Sequence, residues 1–160
     1  MTTERDEDYL KIIASIVEEK GYAKVKDVAK ELDLGPSTVT GMFKKLDKEG
    51  CINYEKYGGV TLTDKGEEIA RKTREKYSML KAFLTSLGLD EKTAEKDACR
   101  IEHILDPKTA ETLEKFVEFV NAKGESKIWI EHFRHFTRTG EYVECNPEKR
   151  DKCPVHGKEK

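Results

Sequence analysis

No apolar run in the 160-residue chain approaches the roughly 20 residues needed to span a bilayer. The N-terminus, MTTERDEDYL, lacks the basic and apolar regions of a signal peptide. Together these absences predict a cytoplasmic protein with no membrane partner. Charge of one sign is also lacking: 30 Lys and Arg stand against 32 Asp and Glu, for a net charge of −2. That balance gives no support to nucleic-acid binding through bulk charge, so any DNA reading has to rest on a local surface. Apolar residues are sparse, at 36% against 39% charged, which predicts a thin, helical core that a second subunit could complete. The sequence shows no internal repeat. Its length suits one domain of ordinary size or two small ones.

What is present begins with four cysteines, at positions 51, 99, 145 and 153. In a reducing compartment these read as thiols or metal ligands instead of a disulfide frame. Cys51 opens an apparent strand as a small core residue. Cys99 belongs to the stretch ACRIEH, residues 98–103. At 3.6 residues per turn, Cys99, Glu102 and His103 fall on one helical face. A thiolate, a carboxylate and an imidazole pointing the same way could hold a transition metal. The same residues also read as a half-buried cysteine beside a surface Glu-His pair, and the six alone leave both readings open.

Helical periodicity covers residues 4–20 through Tyr9, Leu10, Ile12, Ile13, Ile16 and Val17, and Gly21 ends it. VKDVAKELDLG predicts a short helix over about 25–33. PSTVTGMFKKLDKEG starts with Pro36 at a first helical position and ends at Gly50. Its apolar positions Val39, Met42, Phe43 and Leu46 share one face. Two short helices with a tight turn between them form a helix-turn-helix signature. CINYEKYGGVTLT then alternates around Gly58-Gly59, as a hairpin turning at the glycines would. Three helices and a two-stranded ribbon make a winged helix. Helices follow over 63–87, capped by Thr63 or Asp64, over 91–105, stopped by Asp106-Pro107, over 108–124, and in SKIWIEHFRHF. The last stretch, CNPEKRDKCPVHGKEK, reads as a loop or tail.

A recognition helix over 36–49 presents Ser37, Thr38 and Thr40 in its first turn, with Lys44, Lys45 and Lys48 beyond. Small hydroxyls at a helix N-terminus approach bases and phosphates, and lysines reach the backbone. Lys56 and Tyr57 at the hairpin tip suit a wing that touches DNA. Each helix alone also reads as a capped helix with a solvated lysine face; the ordered set of three helices and a wing favours nucleic acid. Some winged helices bind protein or RNA, so the fold alone does not establish a DNA function.

MTTERDEDYL, EEKGYAKVKDVAKELDLGPSTVTGMFKKLDKEG, INYEKYGGVTLTDKG and CRIEH together resemble the diphtheria-toxin-repressor family of metal-dependent transcriptional regulators. The likeness runs over about residues 3–120 and is strongest to short members without an SH3-like domain. It implies a mostly α fold: a winged helix-turn-helix (1–66), an all-α metal-binding and dimerisation domain (67–144), and here a Cys/His-containing tail (145–160). It also implies a non-enzymatic, homodimeric repressor of metal-uptake genes that binds double-stranded operator DNA when a divalent metal is held between the two domains.

The resemblance places the metal ligands at Asp8, Cys99, Glu102 and His103. Asp8 matches manganese-type members and Cys99 iron-type members, so the set is a hybrid. Thiolate, imidazole and carboxylate together suit Fe(II), Co(II), Ni(II) or Zn(II) better than Mn(II); the family favours Fe(II). The chain departs from the family at Lys11, where manganese-type members carry an acid, and at Tyr77, where a ligating histidine is usual. Lys81 and Glu95 replace further second-site ligands. One family-type metal per subunit, or a second site in altered form, is therefore expected. Glu4, Asp6, Glu7 and Asp8 form a like-charged cluster, expected to repel and fray the first turn of helix 1 until a dication binds.

The tail carries Cys145, Cys153 and His156 in a C-x7-C-x2-H spacing, with His132 and His135 on the preceding helix as additional donors. It reads as a second metal site, as a tail with two unpaired thiols, or as a sensory site; the spacing matches no zinc ribbon. Two other functions compete with the metal-activated repressor. One is a winged-helix regulator responding to thiol oxidation at Cys99 or to another signal. The other is an enzyme using Cys99 and His103, which lacks any recognisable oxyanion site or substrate pocket in the sequence.

Overall fold

The computed structural model describes residues 3–55, 58–122, 125–143, 153 and 155, with the side chains of 125–127 set aside. Element order is α1 (Glu4–Lys20), α2 (Val25–Leu32), α3 (Pro36–Lys48), β1 (Ile52–Glu55), β2 (Gly59–Leu62), α4 (Asp64–Ser86), α5 (Glu91–Ile101), α6 (Pro107–Asn121) and α7 (Glu125–Thr139). The chain divides into two compact units, residues 1–76 and 77–160, with the division falling inside α4. Among the described residues no helix is long and apolar enough to cross a membrane.

In the first unit, α1 begins in a capping box. Thr3 Oγ1 accepts from Asp6 N–H, and Asp6 Oδ2 accepts from Thr3 N–H at 2.9 Å, so two end donors are satisfied reciprocally. The helix stops at Gly21, whose φ of 79° needs a residue without Cβ strain. Asp27 caps α2 by accepting from Lys24 N–H. Pro36 opens α3 at the position where its missing N–H costs nothing.

The strands pair antiparallel, from Ile52 with Leu62 to Glu55 with Gly59. Gly58 stands in the turn and donates its N–H to Glu55 O at 3.2 Å, while Gly59 already lies inside β2. Ala23 bridges to Val60 through two backbone bonds of 2.8 and 2.9 Å, which fastens the α1–α2 turn to the wing.

The core of this unit is a single cluster. Tyr9, Leu10 and Ile13 of α1 meet Val28, then Val39, Phe43 and Leu46 of α3, then Ile52 and Val60 of the ribbon, each at most 1% exposed. Met42 packs at its edge. Phe43 and Tyr54 meet edge to face at 5.5 Å between centroids. The periodic face of α3 is thus fully used inward, and the opposite face is left open.

Still in the first unit, Thr63 caps the start of α4 by accepting from Gly66 N–H; in the second unit, Asp90 and Asp106 cap α5 and α6. α5 ends at Ile101, four residues before the sequence expectation. Ile104 N–H and Leu105 N–H both donate to Ile101 O at 3.1 Å, so the chain tightens there before Asp106-Pro107. α6 packs on α7. Phe83, Phe116, Trp129 and Phe133 form a continuous run of ring contacts. Arg134 donates to the carbonyls of Ser86 and Thr85 at the end of α4, at 2.8 and 3.1 Å, satisfying orphan acceptors of that helix.

Candidate metal centre and nucleic-acid interface

In the second unit, Glu102 and His103 sit at the tight exit of α5. Glu102 keeps helical backbone angles and its N–H still donates to Ala98 O. Its carboxylate is 0% exposed and the His103 side chain 6%, with Oε1 and Nε2 3.5 Å apart. A carboxylate withdrawn completely from water is stable only where positive charge or donors meet it. This pair is therefore a chemically fitting half-site for a divalent ion. Cys99, one turn earlier, is exposed, so the thiol presents to solvent while the carboxylate turns inward. Tyr77 is half-buried on α4.

In the first unit, Asp8 is half-buried on α1, and Lys11 Nζ lies 3.7 Å from its Oδ1. The neighbouring Asp6 is fully buried and does not belong to a repelling cluster. It accepts from Lys45 Nζ on both oxygens, at 2.6 and 2.7 Å, and from Thr3. Burial pushes its carboxyl upward, but the hydrogen bonds from Lys45 and Thr3 outweigh burial and hold it below the usual carboxylate range. Lys45 is raised in turn, chiefly by Asp6. The first turn of α1 is thus ordered by its cap and by an ammonium from α3, and the fraying expected from like charge is answered by Lys45. Glu4, Asp6 and Glu7 also lie in the first turn, where the helix dipole favours acids. The cue that the sequence offered was the T-x-x-D cap at Thr3–Asp6; the pairing with Lys45 lies 39 residues away.

Lys81 Nζ bridges Glu95 at 2.7 Å and Glu91 at 3.0 Å. Glu95 first, then Glu91, raise the lysine above its ordinary range. The position that departs from the family second site is accordingly filled by an ion-pair triad.

On α3, Ser37, Thr38 and Lys44 are exposed on the face away from the core, and Thr40 donates its hydroxyl to Pro36 O at 2.8 Å. Lys45 is exposed but engaged by Asp6 and, at 3.8 Å, by Glu49. Lys56 and Tyr57 of the wing lie outside the described residues, as do Cys145 and His156. Cys153 is 5% exposed, and its Sγ lies 3.5 Å from His132 Nε2.

Residues 1–60 match the family model for the iron dependent repressor N-terminal DNA binding domain, and residues 63–127 match its metal binding and dimerisation domain. The transcriptional regulator MntR of Bacillus pumilus is 38% identical over 130 residues, covering 81% of this chain and 90% of its own. An uncharacterised HTH-type regulator of Methanocaldococcus jannaschii is 46% identical over 114 residues, covering 70% and 91%. Among solved structures, the manganese regulator SloR aligns with a TM-score of 0.64 at 30% identity, over 74% of this chain. A manganese-dependent repressor in complex with manganese aligns at 0.65 and 26% identity, over 71%. The match spans only 55% and 53% of those two solved chains. With a DNA-binding and a dimerisation domain in the order that the family requires, the chain belongs to the diphtheria-toxin-repressor family of metal-dependent transcriptional repressors.

Proposed function

We propose that the chain is a cytoplasmic homodimer that binds double-stranded operator DNA when loaded with a divalent transition metal and so controls metal-uptake genes. The observation that carries the metal reading is the fully buried Glu102 carboxylate beside His103. The ligand set that the family resemblance implies is Asp8, Cys99, Glu102 and His103, each giving one ligand atom. The thiolate suits Fe(II), Co(II), Ni(II) or Zn(II) better than Mn(II), and the family resemblance favours Fe(II); Mn(II), after which the solved relatives are named, is the other ion to test. One such ion per subunit is proposed, because Lys81 already occupies Glu95.

A bound dication would supply the positive charge that lets the Asp8 and Glu102 carboxylates share one site. Asp8 lies two residues from Asp6, and Asp6 holds Lys45 of α3. Ligation at the start of α1 therefore acts on the same turn that seats the DNA-facing helix. The ion need not touch DNA; it only has to favour the DNA-competent arrangement. Ser37, Thr38, Thr40 and Lys44 form the proposed DNA face with Lys56 and Tyr57 of the wing, and Lys45 orients the helix from its rim. For the homodimer, the support is exposed apolar area in the second unit: Ile104 at 76%, Phe119 at 59% and Trp129 at 54%.

The test is anaerobic. A duplex is selected from a random library by the Fe(II)-loaded protein, and its affinity is compared for metal-free, Fe(II) and Mn(II) protein. Metal should tighten binding by about 5–150-fold, and Glu102→Gln or His103→Gln should abolish the gain. Equal affinity with and without metal would sink the proposal.

A further inference from the structure

The pairing of Cys153 with His132 is not explained by the regulatory site. The two residues are 21 apart in sequence, yet Sγ and Nε2 are separated by 3.5 Å. Cys153 is 5% exposed, although the stretch around it, RDKCPVHGK, has few apolar side chains to hold a thiol out of water. A short polar segment keeps such a position most readily when a metal cross-link supplies the energy that a core would otherwise give. The separation fits that chemistry. With Zn–S near 2.3 Å and Zn–N near 2.0–2.1 Å, a tetrahedral angle places sulfur and nitrogen about 3.6 Å apart.

We propose that His132 and Cys153 are ligands of a structural zinc-class ion that fastens the C-terminal segment to α7. This site is separate from Asp8, Cys99, Glu102 and His103 and serves order instead of sensing. A thiolate and an imidazole select a borderline-soft ion over Mn(II). Binding deprotonates the Cys153 thiol, so loading releases a proton to solvent. Cys145 and His156 complete the C-x7-C-x2-H spacing in sequence and are the first residues to examine for the remaining ligands.

The experiment uses the full-length chain, stripped of metal and titrated with Co(II). In a Cys99→Ser background, which removes the thiolate proposed for the regulatory site, a thiolate-to-cobalt absorption band should still appear, and it should disappear when Cys153→Ser is added. His132→Gln should weaken Zn(II) competition for that band at least about tenfold, as expected for a lost ligand. In the unaltered protein, Zn(II) should slow alkylation of Cys153, which needs no variant to fold. A band that survives Cys153→Ser in the Cys99→Ser background, or alkylation indifferent to Zn(II), would show an ordinary thiol–imidazole hydrogen bond and overturn the proposal. Metal-dependent operator binding, read in parallel, should survive Cys153→Ser; its fate reports on the regulatory site and not on this one.

Discussion

Lys45 Nζ reaches both carboxylate oxygens of Asp6, at 2.6 and 2.7 Å, and so joins α3 to the first turn of α1. The carboxylate is completely buried, whereas the lysine side chain keeps 42% of its exposure. Asp6 thus has two duties. It closes the cap of α1 through Thr3, and it fixes the rim of the helix that presents Ser37, Thr38 and Lys44.

Asp6→Asn keeps the shape of that site and removes the charge. A hydrogen bond to a charged group is worth about 1.5–3 kcal/mol, and the solvent around Lys45 lowers that figure. The expected loss is about 1–2 kcal/mol in urea unfolding, with metal affinity retained. A double-mutant cycle with Lys45→Met isolates the pair. Additive effects of the two substitutions would mean that the contact contributes nothing, and α1 would then hold α3 by the apolar core alone.

Lys44 and Lys45 are neighbours with different expected roles at DNA. Lys44 is exposed, while the charge of Lys45 is met by Asp6 and Glu49. Lys44→Ala should reduce the salt slope of operator binding by about one unit, as loss of one phosphate contact does. Lys45→Ala should change that slope less and lower stability more. Equal slopes for the two variants would place both ammonium groups on phosphate in the complex.

Asp27 sets an acid limit for the helix-turn-helix. Burial pushes its carboxyl up, but Lys20 and the Lys24 N–H outweigh burial and lower it. A lowered folded-state pKa contributes stability in full above the unfolded value, near 3.9, and that contribution is lost as pH falls through the folded value. Melting of the protein between about pH 5 and pH 2 should therefore show a flatter pH dependence for Asp27→Asn than for the unaltered chain. Parallel curves would mean that Lys20 and Lys24 do not hold the carboxylate in solution.

The legible parts of this fold are those whose signals are local. Gly21, Pro36 and Thr63 each act within a turn or two of where they stand, and the helix limits that they predict agree with the structure to within about two residues. The end of α5 was not legible, because Glu102 and His103 look like a continued helical face until the chain tightens at Ile101. Asp6 read as one of four repelling acids for a similar reason: its partner lies 39 residues away and enters only through tertiary packing. The donors Glu102 and His103 were visible as residue types, but their burial was not. Nothing in sequence separates an inward carboxylate from the outward Cys99 three positions before it.

Gly66 makes a close approach that its sequence does not announce. It is buried in the first turn of α4, where an added Cβ would collide with the backbone carbonyl of Cys51. That carbonyl also accepts Thr63 N–H at 3.2 Å, so it cannot move without loosening the helix start. Gly66→Ala should cost about 1–3 kcal/mol, the range for overpacking a tight contact, read as a lower urea midpoint. An unchanged midpoint would show that the β1–α4 junction relaxes freely.

Gly41 presents the opposite case. It lies inside α3, is exposed, and has nothing within 4 Å of an added Cβ. A glycine in a helix interior is less favourable than alanine by about 0.5–1 kcal/mol, so Gly41→Ala should stabilise the protein by that amount. Packing gives no reason for the glycine. Its position does: it follows Ser37 by four residues and Thr38 by three, so the three share the outward face of α3. On that face, the one proposed to meet DNA, the missing side chain would let the helix backbone come close to the operator. Gly41→Ala should therefore raise the urea midpoint and weaken operator binding together, a combination that no general loss of folding can produce. If affinity instead stays level while stability rises, α3 stands off the DNA at this point, and the contact surface has to be sought nearer Lys44 and the wing.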